Sequence, residues 1–273
     1  MKSQWECLLQ NLGEWQGSFT RISPQGELLE DTPTVVSLVG LNNNQMVRQT
    51  VRRFLPSQLP QDTVLEYSSL GRNTLFFENG AFSQGSIQLA PFTVFGAELG
   101  LIDGNRRLRL VQMFDKQGNL ETLTLIREKL AGTDENHDNL VTSVDSLWGE
   151  WQGEAVTLYP DFRSPDSYAT KLKIYRNEDG KLFQELNFAN RTIASSAKVD
   201  GPMLYFEEGF QPVRVLLLPA GASCTFPLTV KLGQAFFLEV GWLINSHHRQ
   251  RLIRNYNEKG EWVSLTLVEE FKI

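Results

Sequence analysis

The feature that most constrains this fold is a pentapeptide that occurs twice, Gly-Glu-Trp-Gln-Gly, at residues 13–17 and again at residues 149–153. A chance recurrence that includes a tryptophan is improbable, so the repeat indicates an internal duplication. The similarity returns near the end of each copy, where residues 106–130 resemble residues 248–272. The chain is therefore expected to consist of two related halves.

A third pair of segments extends the repeat into the middle of each half. Residues 75–80 read Leu-Phe-Phe-Glu-Asn-Gly, and residues 204–209 read Leu-Tyr-Phe-Glu-Glu-Gly. The spacing between matched segments changes from block to block, as loops of unequal length would produce. We predict two domains, 1–132 and 138–273, joined by a polar and acidic linker at 131–139.

Both halves begin with a short helix and continue as a series of short strands. Ser3 is a predicted N-cap for the first helix, and apolar residues between 140 and 148 repeat the helical spacing. Alternating segments rich in Val, Leu, Thr and Phe follow, with turn residues roughly every 8–12 positions. These segments are in up-and-down order with no long crossover helix. The pattern predicts an all-β chain of two antiparallel barrels, each preceded by a short N-terminal helix.

Composition and charge exclude several classes of protein. The net charge of −6 argues against a nucleic-acid partner, which would require a basic face. No apolar stretch approaches the roughly 20 residues of a membrane helix, and the N-terminus has no signal-peptide core. Cys7 and Cys224 are isolated, which is typical of reduced thiols. We expect a cytoplasmic protein that does not insert into membranes.

The residues around the repeated tryptophan resemble a known superfamily. Gly13-Glu14-Trp15 and Gly149-Glu150-Trp151 both place a Gly-x-Trp motif on the first strand after a short helix. This arrangement resembles the lipocalin and fatty-acid-binding (calycin) superfamily. The whole chain looks like a two-domain calycin family of unknown function, known mainly from cyanobacteria. The resemblance implies lipocalin-like up-and-down barrels.

The resemblance also implies a structural role for both tryptophans. In calycins this tryptophan closes one end of the barrel, often beneath an arginine from the last strand. Trp15 and Trp151 are thus expected to be barrel plugs, with Arg127 as the covering arginine in the first half. The second half has Glu269 at the matching position.

A Glu–Arg pair present in both copies gives the candidate binding or catalytic residues. If residues 103–104 form a two-residue turn, Glu98 lies directly opposite Arg109, and Glu239 and Arg251 occupy the matching places. One interpretation is an exposed ion pair worth up to about 1 kcal/mol. The other is a pair inside the barrel that binds the polar end of a ligand or acts as acid and base.

Metal and nucleotide chemistry have little support in the sequence. His137 lies in the linker, and the adjacent His247 and His248 point to opposite faces of a strand. No nucleophile elbow, P-loop or dinucleotide fingerprint is present. We predict no metal site and no evident cofactor other than a bound lipid or pigment.

The function predicted from these features is binding of an apolar or conjugated small molecule, such as a lipid, a carotenoid or a tetrapyrrole-like compound. Trp242 is a further candidate contact for this ligand. A cofactor-independent isomerase or cyclase, or a bilin-chromophore lyase, is an alternative that the resemblance suggests. A ligand-free structural or interaction protein is another. Whether the chain is an enzyme, and whether it has a protein partner, stays open.

Overall fold

The computed structural model describes residues 2–134, 142–178, 180–208 and 212–273. His137 and residues 135–139 of the predicted linker lie outside the described residues. The first half contains α1 (Gln4–Leu8), a 3-10 turn (Leu9–Asn11), β1 (Gly13–Ile22), β2 (Leu28–Leu41), β3 (Met46–Arg53), β4 (Gln61–Tyr67), β5 (Thr74–Phe76), β6 (Phe82–Gly85), β7 (Phe95–Asp103), β8 (Arg106–Phe114) and β9 (Leu120–Leu130). The second half contains α2 (Val144–Leu147), β10 (Gly149–Leu158), β11 (Asp166–Arg176), β12 (Leu182–Phe188), β13 (Arg191–Asp200), β14 (Met203–Phe206), β15 (Val213–Leu217), β16 (Ala222–Pro227), β17 (Phe236–Asn245), β18 (His248–Tyr256) and β19 (Trp262–Lys272).

The predicted fold class is confirmed, with one difference between the halves. The strands of the first half form an antiparallel sheet in the order β4-β3-β2-β1-β9-β8-β7-β6-β5, which stays open between β4 and β5. The strands of the second half pair in sequence order, and β19 returns to β10 to close a ten-stranded barrel. A closed barrel leaves no unpaired strand edge.

Each half begins with a capped helix that fixes the first strand. The Ser3 hydroxyl accepts a hydrogen bond from the Glu6 N–H, and the Glu6 carboxylate accepts one from the Ser3 N–H. This reciprocal pair is a capping box, and it confirms the predicted N-cap. Ser143 caps α2 in the same way with Ser146. The 3-10 turn at Leu9–Asn11 leads from α1 towards β1, and only Trp148 separates α2 from β10, so each helix precedes the strand that carries the repeated tryptophan.

The two faces of each sheet have different neighbours. On β7, Leu99 and Leu101 point away from the lumen and pack against the outer face of the second barrel, including Leu238 and Leu252. The lumen side of each sheet has its own smaller apolar cluster, one around Trp15 and one around Trp151. The described residues therefore form three apolar cores, and the largest joins the two halves.

The contacts between the halves are reciprocal at equivalent positions. The Leu89 N–H donates to the Gly260 carbonyl at 2.8 Å, and the Val230 N–H donates to the Gly118 carbonyl at 2.8 Å. Gly118 has a φ of +83°, and a Cβ there would lie 2.1 Å from the Val230 oxygen. The pairing resembles the isologous interface of a two-fold dimer.

One predicted equivalence between the halves is wrong. Residues 75–80 do not correspond to residues 204–209. In the first half β5 pairs with β6 and β6 pairs with β7, and in the second half β15 pairs with β16 and β16 pairs with β17. The structural equivalent of β5 is therefore β15, not β14. The turn after β5 is closed by Phe77 N–H to Ala81 O, and the turn after β15 by Leu218 N–H to Ala222 O. Strand β14 is an additional strand that bridges β13 and β15.

Candidate functional site

Each half encloses a cavity on its lumen side. The second cavity, inside the closed barrel, has a volume of about 450 Å³. The first cavity, inside the open sheet, has a volume of about 290 Å³. Apolar side chains supply much of the wall of the second cavity, among them Leu172, Ile174, Leu186, Leu204, Phe206, Val215 and Val268.

A buried charged cluster lies at one end of the second cavity. Glu270, on β19, is fully buried, and its carboxylate accepts hydrogen bonds from two arginines of β18. Arg249 donates through Nε at 3.0 Å and through Nη2 at 2.5 Å. Arg251 donates through Nη2 at 2.7 Å and through Nε at 3.3 Å. Both arginines line the cavity, while Glu270 lies behind them.

The candidate residue Glu239 faces the same cavity and is less tightly bound. Its Oε2 lies 3.5 Å from Nη1 of Arg251. Its Oε1 accepts a long hydrogen bond of 3.4 Å from the Thr225 hydroxyl. The structure therefore brings two of the predicted candidates, Glu239 and Arg251, together on the lumen side of the barrel.

The first half contains the same cluster in a tighter form. Glu128, fully buried on β9, accepts hydrogen bonds from Arg107 at 2.7 Å and from Arg109 at 2.8 and 3.0 Å. Arg109 Nη1 also donates to Glu98 Oε1 at 2.5 Å. The second oxygen of Glu98 accepts a hydrogen bond from Gln84 Nε2 at 2.9 Å. Glu98 is thus satisfied on both oxygens.

The two central glutamates are strongly biased towards the charged form. Burial alone would raise the pKa of Glu128, but the charges of Arg107 and Arg109 outweigh burial and hold this pKa at about 2. The pKa of Glu270 is likewise held at about 2, against burial, by Arg249 and Arg251. Each half therefore carries a fully buried carboxylate that stays ionised at neutral pH.

The register of the pair differs from the prediction, although the pairing itself forms. The turn is made by residues 104–105, so Gly100 lies opposite Arg109 and Glu98 lies opposite Val111. The Arg109 side chain passes over Gly100, which has no side chain to block it, and reaches Glu98 diagonally across the strand pair. The second half repeats this diagonal arrangement, with Gly241 opposite Arg251.

The structure places both repeated tryptophans in equivalent surroundings. Trp15 is buried and its indole N–H donates to Asn11 O at 2.9 Å, and that of Trp151 donates to Leu147 O at 3.0 Å. The Arg107 guanidinium lies 4.4 Å from the Trp15 ring centre, and that of Arg249 lies 4.9 Å from Trp151. Each tryptophan therefore lies between its helix and the charged cluster.

The prediction that Arg127 covers Trp15 is wrong. Arg127 precedes Glu128 on β9, and strand alternation turns its side chain to the opposite face. There its Nη2 donates to the Thr20 hydroxyl at 3.0 Å and lies 3.9 Å from Asp31. Glu269 has the equivalent outward position and contacts His248 at 2.9 Å.

The structure does not bring Trp242 to the candidate site. Trp242 is buried on the outer face of β17, one residue after Gly241, which faces the lumen. The Arg106 guanidinium of the first half lies 5.4 Å from its ring centre. Trp242 therefore packs between the two halves, and the prediction that it contacts a ligand in the barrel is not supported.

The sequence patterns do not identify four residues of the cluster: Arg107, Glu128, Arg249 and Glu270. A signal for them exists, because each copy contains Arg-x-Arg on the penultimate strand and a glutamate at the same distance further along the chain. Other charged residues beside these positions make the signal hard to recognise. Among the described residues, no group of three His, Cys, Asp or Glu side chains is arranged to hold a metal ion.

The lumen sides of β6 and β16 differ at two positions. On β6, Phe82 stacks on Phe76 with ring centres 5.2 Å apart and occupies part of the lumen of the first half. The equivalent place on β16 is taken by Ser223, and Thr225 takes the place of Gln84. The smaller side chains leave space beside Glu239.

Two family models match this chain, one in each half. Residues 1–133 match the model described as domain of unknown function (DUF3598), N-terminal. Residues 138–273 match the model described as biogenesis factor required for ATP synthase 1, C-terminal domain. Comparison with curated proteins gives no match. No helix in the described residues is both long and apolar enough to span a membrane.

Two solved structures illustrate the range of similarity. A protein of unknown function from the DUF3598 family of Nostoc punctiforme PCC 73102 is 54% identical, with a TM-score of 0.95 and complete coverage of both chains. The S-type phycobiliprotein lyase CPES from Guillardia theta is 11% identical, with a TM-score of 0.37, over 47% of this chain and 89% of that chain. The chain belongs to the DUF3598 family.

Proposed function

We propose that this DUF3598 protein binds a small molecule with an apolar or conjugated body inside the second cavity, with its polar end near Arg251 and Glu239. The observation that carries the proposal is the cavity of about 450 Å³ in the closed barrel, with an apolar wall and a charged cluster at one end. Ligand sites are typically cavities of this kind, in which a few polar groups orient an otherwise apolar ligand.

The driving force is the removal of apolar surface from water. Each ligand methylene that is buried contributes about 0.8 kcal/mol, so burial of a ten-carbon chain contributes about 8 kcal/mol, from which the cost of immobilising the ligand is subtracted. Glu270 forms ion pairs with both arginines and holds them in place beside the cavity. Side chains that are held in place in this way lose less freedom when a ligand binds.

The second cavity suits this role better than the first. The first cavity is smaller, and Phe82 occupies part of its lumen. Its wall is also more polar, with Gln49, Tyr67, Asn73 and Gln84 among the lining residues. We therefore assign binding to the second half.

The test is to fill the cavity without changing its charges. Leu186 is partly buried and lines the second cavity, so Leu186→Trp places a large ring in the ligand volume. We expect the affinity for a neutral fluorescent probe, N-phenyl-1-naphthylamine, to fall at least tenfold. Val64→Trp is the matched control, because Val64 is exposed on β4 and lines neither cavity. Equal affinity in both variants and the parent would contradict the proposal.

A second candidate function is favoured by one comparison. Because residues 138–273 match a model named for biogenesis of ATP synthase, a role of this chain in assembling that complex is proposed as the alternative. The measurement is the amount of assembled ATP synthase in host cells that lack the gene. An unchanged amount would count against this alternative and would leave the binding proposal intact.

A further inference from the structure

We infer that the polar end of the ligand in the second cavity is a hydrogen-bond donor, neutral or cationic, such as a hydroxyl, an ammonium or a ring N–H, and that Glu239 receives it. This inference rests on the proposed function, since it specifies which ligands the cavity accepts. Three observations carry it: the arginines are already paired, Glu239 is not fully paired, and the cavity carries a negative balance of charge.

The arginines of the cluster already have a carboxylate. Glu270 accepts hydrogen bonds from both Arg249 and Arg251, at 2.5 to 3.3 Å, and is itself fully buried. A buried ion pair of this geometry satisfies most of the guanidinium charge. A carboxylate on the ligand would therefore compete with Glu270 rather than meet a free cation.

Glu239 has unused hydrogen-bonding capacity. Its two contacts, with Arg251 at 3.5 Å and with Thr225 at 3.4 Å, are at the long limit for hydrogen bonds. The first half supplies an internal comparison, because Glu98 has contacts of 2.5 Å with Arg109 and 2.9 Å with Gln84. A partly buried carboxylate can accept several hydrogen bonds, so Glu239 can take a donor from a ligand.

The balance of charge also favours a donor. Among the described residues, the charged side chains that line the cavity are Arg249, Arg251, Glu208 and Glu239, and Glu270 lies behind the arginines. Two positive and three negative groups leave one net negative charge. An anionic ligand would meet like charge here, whereas a neutral or cationic donor would not.

A buried hydroxyl with no partner lies in the same wall. Thr170, which lines the cavity, is 6% exposed, and its Oγ1 has no hydrogen-bond partner. Unpaired buried polar atoms are uncommon in folded proteins and indicate a missing partner. Thr170 thus offers a second polar contact to a ligand that reaches Glu239 from the apolar part of the cavity.

The experiment compares three ligands with the same twelve-carbon chain: dodecylamine, dodecanol and dodecanoate. Each ligand is titrated into the full-length protein with bound N-phenyl-1-naphthylamine at pH 7, and the displacement of this probe is measured. Every ligand is kept below its own critical micelle concentration. Because chain burial is common to all three, the ratio of their affinities reports the polar end alone. We expect the amine and the alcohol to displace the probe at concentrations at least tenfold lower than dodecanoate does.

Two variants test the assignment to Glu239. Glu239→Gln removes the charge and is expected to reduce the preference for the amine over the carboxylate at least tenfold. Thr225→Gln supplies an amide like that of Gln84 in the first half, which donates a hydrogen bond to Glu98. The new amide is expected to donate to Glu239 in place of the ligand, and so to reduce the preference for the amine over the carboxylate. This second variant keeps the test valid if Glu239→Gln does not fold. Glu269→Gln, on the outer face of β19, is the matched control and is expected to leave the preference unchanged.

Equal displacement by the three ligands, or better displacement by dodecanoate, would overturn the inference and leave the proposed function standing. A preference for donors that survives unchanged in both Glu239→Gln and Thr225→Gln would overturn the role of Glu239. Failure of the parent protein to bind the probe at all would instead count against the proposed function.

Discussion

Glu270 is a single residue on which the charged cluster of the second barrel depends. Removing the charge from this side chain leaves two buried arginines without their carboxylate, and breaking a buried ion pair from one side costs about 3–5 kcal/mol. We expect Glu270→Gln to lower the free energy of unfolding by this amount, measured by urea unfolding followed by tryptophan fluorescence. Its neighbour Glu269 is exposed and pairs with His248, so Glu269→Gln is expected to cost less than about 1 kcal/mol. Similar losses in the two variants would mean that the cluster is not a stabilising ion pair.

The depressed pKa of Glu128 and of Glu270 predicts how stability depends on pH. In the folded chain both pKa values are held at about 2, whereas the ordinary value is 4.5. Between these values the unfolded chain binds more protons, so the stabilisation is complete above pH 4.5 and is lost as the pH falls towards 2. Each carboxylate contributes at most about 1.4 kcal/mol per pH unit in this range.

The measurement is urea unfolding at several pH values between 7 and 2. We expect the free energy of unfolding to fall more steeply below pH 4.5 in the parent than in Glu270→Gln, because the variant has one such carboxylate fewer. Identical slopes in the two proteins would show that Glu270 titrates alike in the folded and unfolded chains.

At the scale of elements, strands β6 and β16 carry different side chains at one lumen position. Ser223 on β16 lies where Phe82 occupies part of the first lumen. Ser223→Phe is therefore expected to reduce probe affinity at least tenfold with little loss of stability, because the new ring enters existing space. Ser223→Ala is the control and should bind like the parent. A Ser223→Phe variant that binds the probe normally would locate the probe elsewhere in the molecule.

Much of the element-level structure could be predicted, because it follows from local rules. Strand alternation places Leu99 and Leu110 on the face opposite Glu98 and Arg109, and the N-cap at Ser3 follows from residue type. The register could not be predicted in the same way. Asp103-Gly104 is a strong turn signal, yet the turn is at residues 104–105, with Gly104 at a φ of +57°. A glycine suits the first central position of a type II′ turn as well as the second position of a type I′ turn, so the residues alone do not fix which pair forms the turn.

Only part of the candidate site could be predicted, because local patterns identify some of its residues and not others. Glu98, Arg109, Glu239 and Arg251 were found because the cross-strand pairs recur in both copies. Glu128 and Glu270 were missed because each lies beside another charged residue, and nothing local says which of the two points inwards. The extra strand β14 was also missed, because residues 75–80 resemble residues 204–209 by composition and not by place in the fold.

At the scale of the whole molecule, the two halves are parts of one packed unit. Leu99, Leu238 and Leu252 are fully buried between the sheets, and they would be exposed to water if the halves separated. Arg254 is also fully buried here, with Nη1 donating to Ser83 at 3.1 Å and Nε donating to Tyr256 at 2.7 Å. The interface therefore combines an apolar core with a specific polar contact, as in a stable dimer.

This arrangement predicts that the peptide connection between the halves is not needed for their association. Residues 1–134 and 142–273, expressed together as separate chains, are expected to copurify in a one-to-one complex with the circular dichroism of the intact protein. The physical reason is that each fragment alone would expose a large apolar patch, which monomeric proteins rarely tolerate. The readout is size-exclusion chromatography with mass determination.

Two variants make the prediction about association specific to the interface. Leu99→Lys places a charge in the apolar core and is expected to abolish copurification. Gly118→Ala adds a methyl group at a φ of +83° beside the Val230 carbonyl, and is expected to weaken the complex without entering either cavity. If the two fragments instead fold as separate monomers with native circular dichroism, the apolar faces do not require each other. The reciprocal contacts would then be a consequence of the covalent connection, and the view of the chain as a linked dimer would fail.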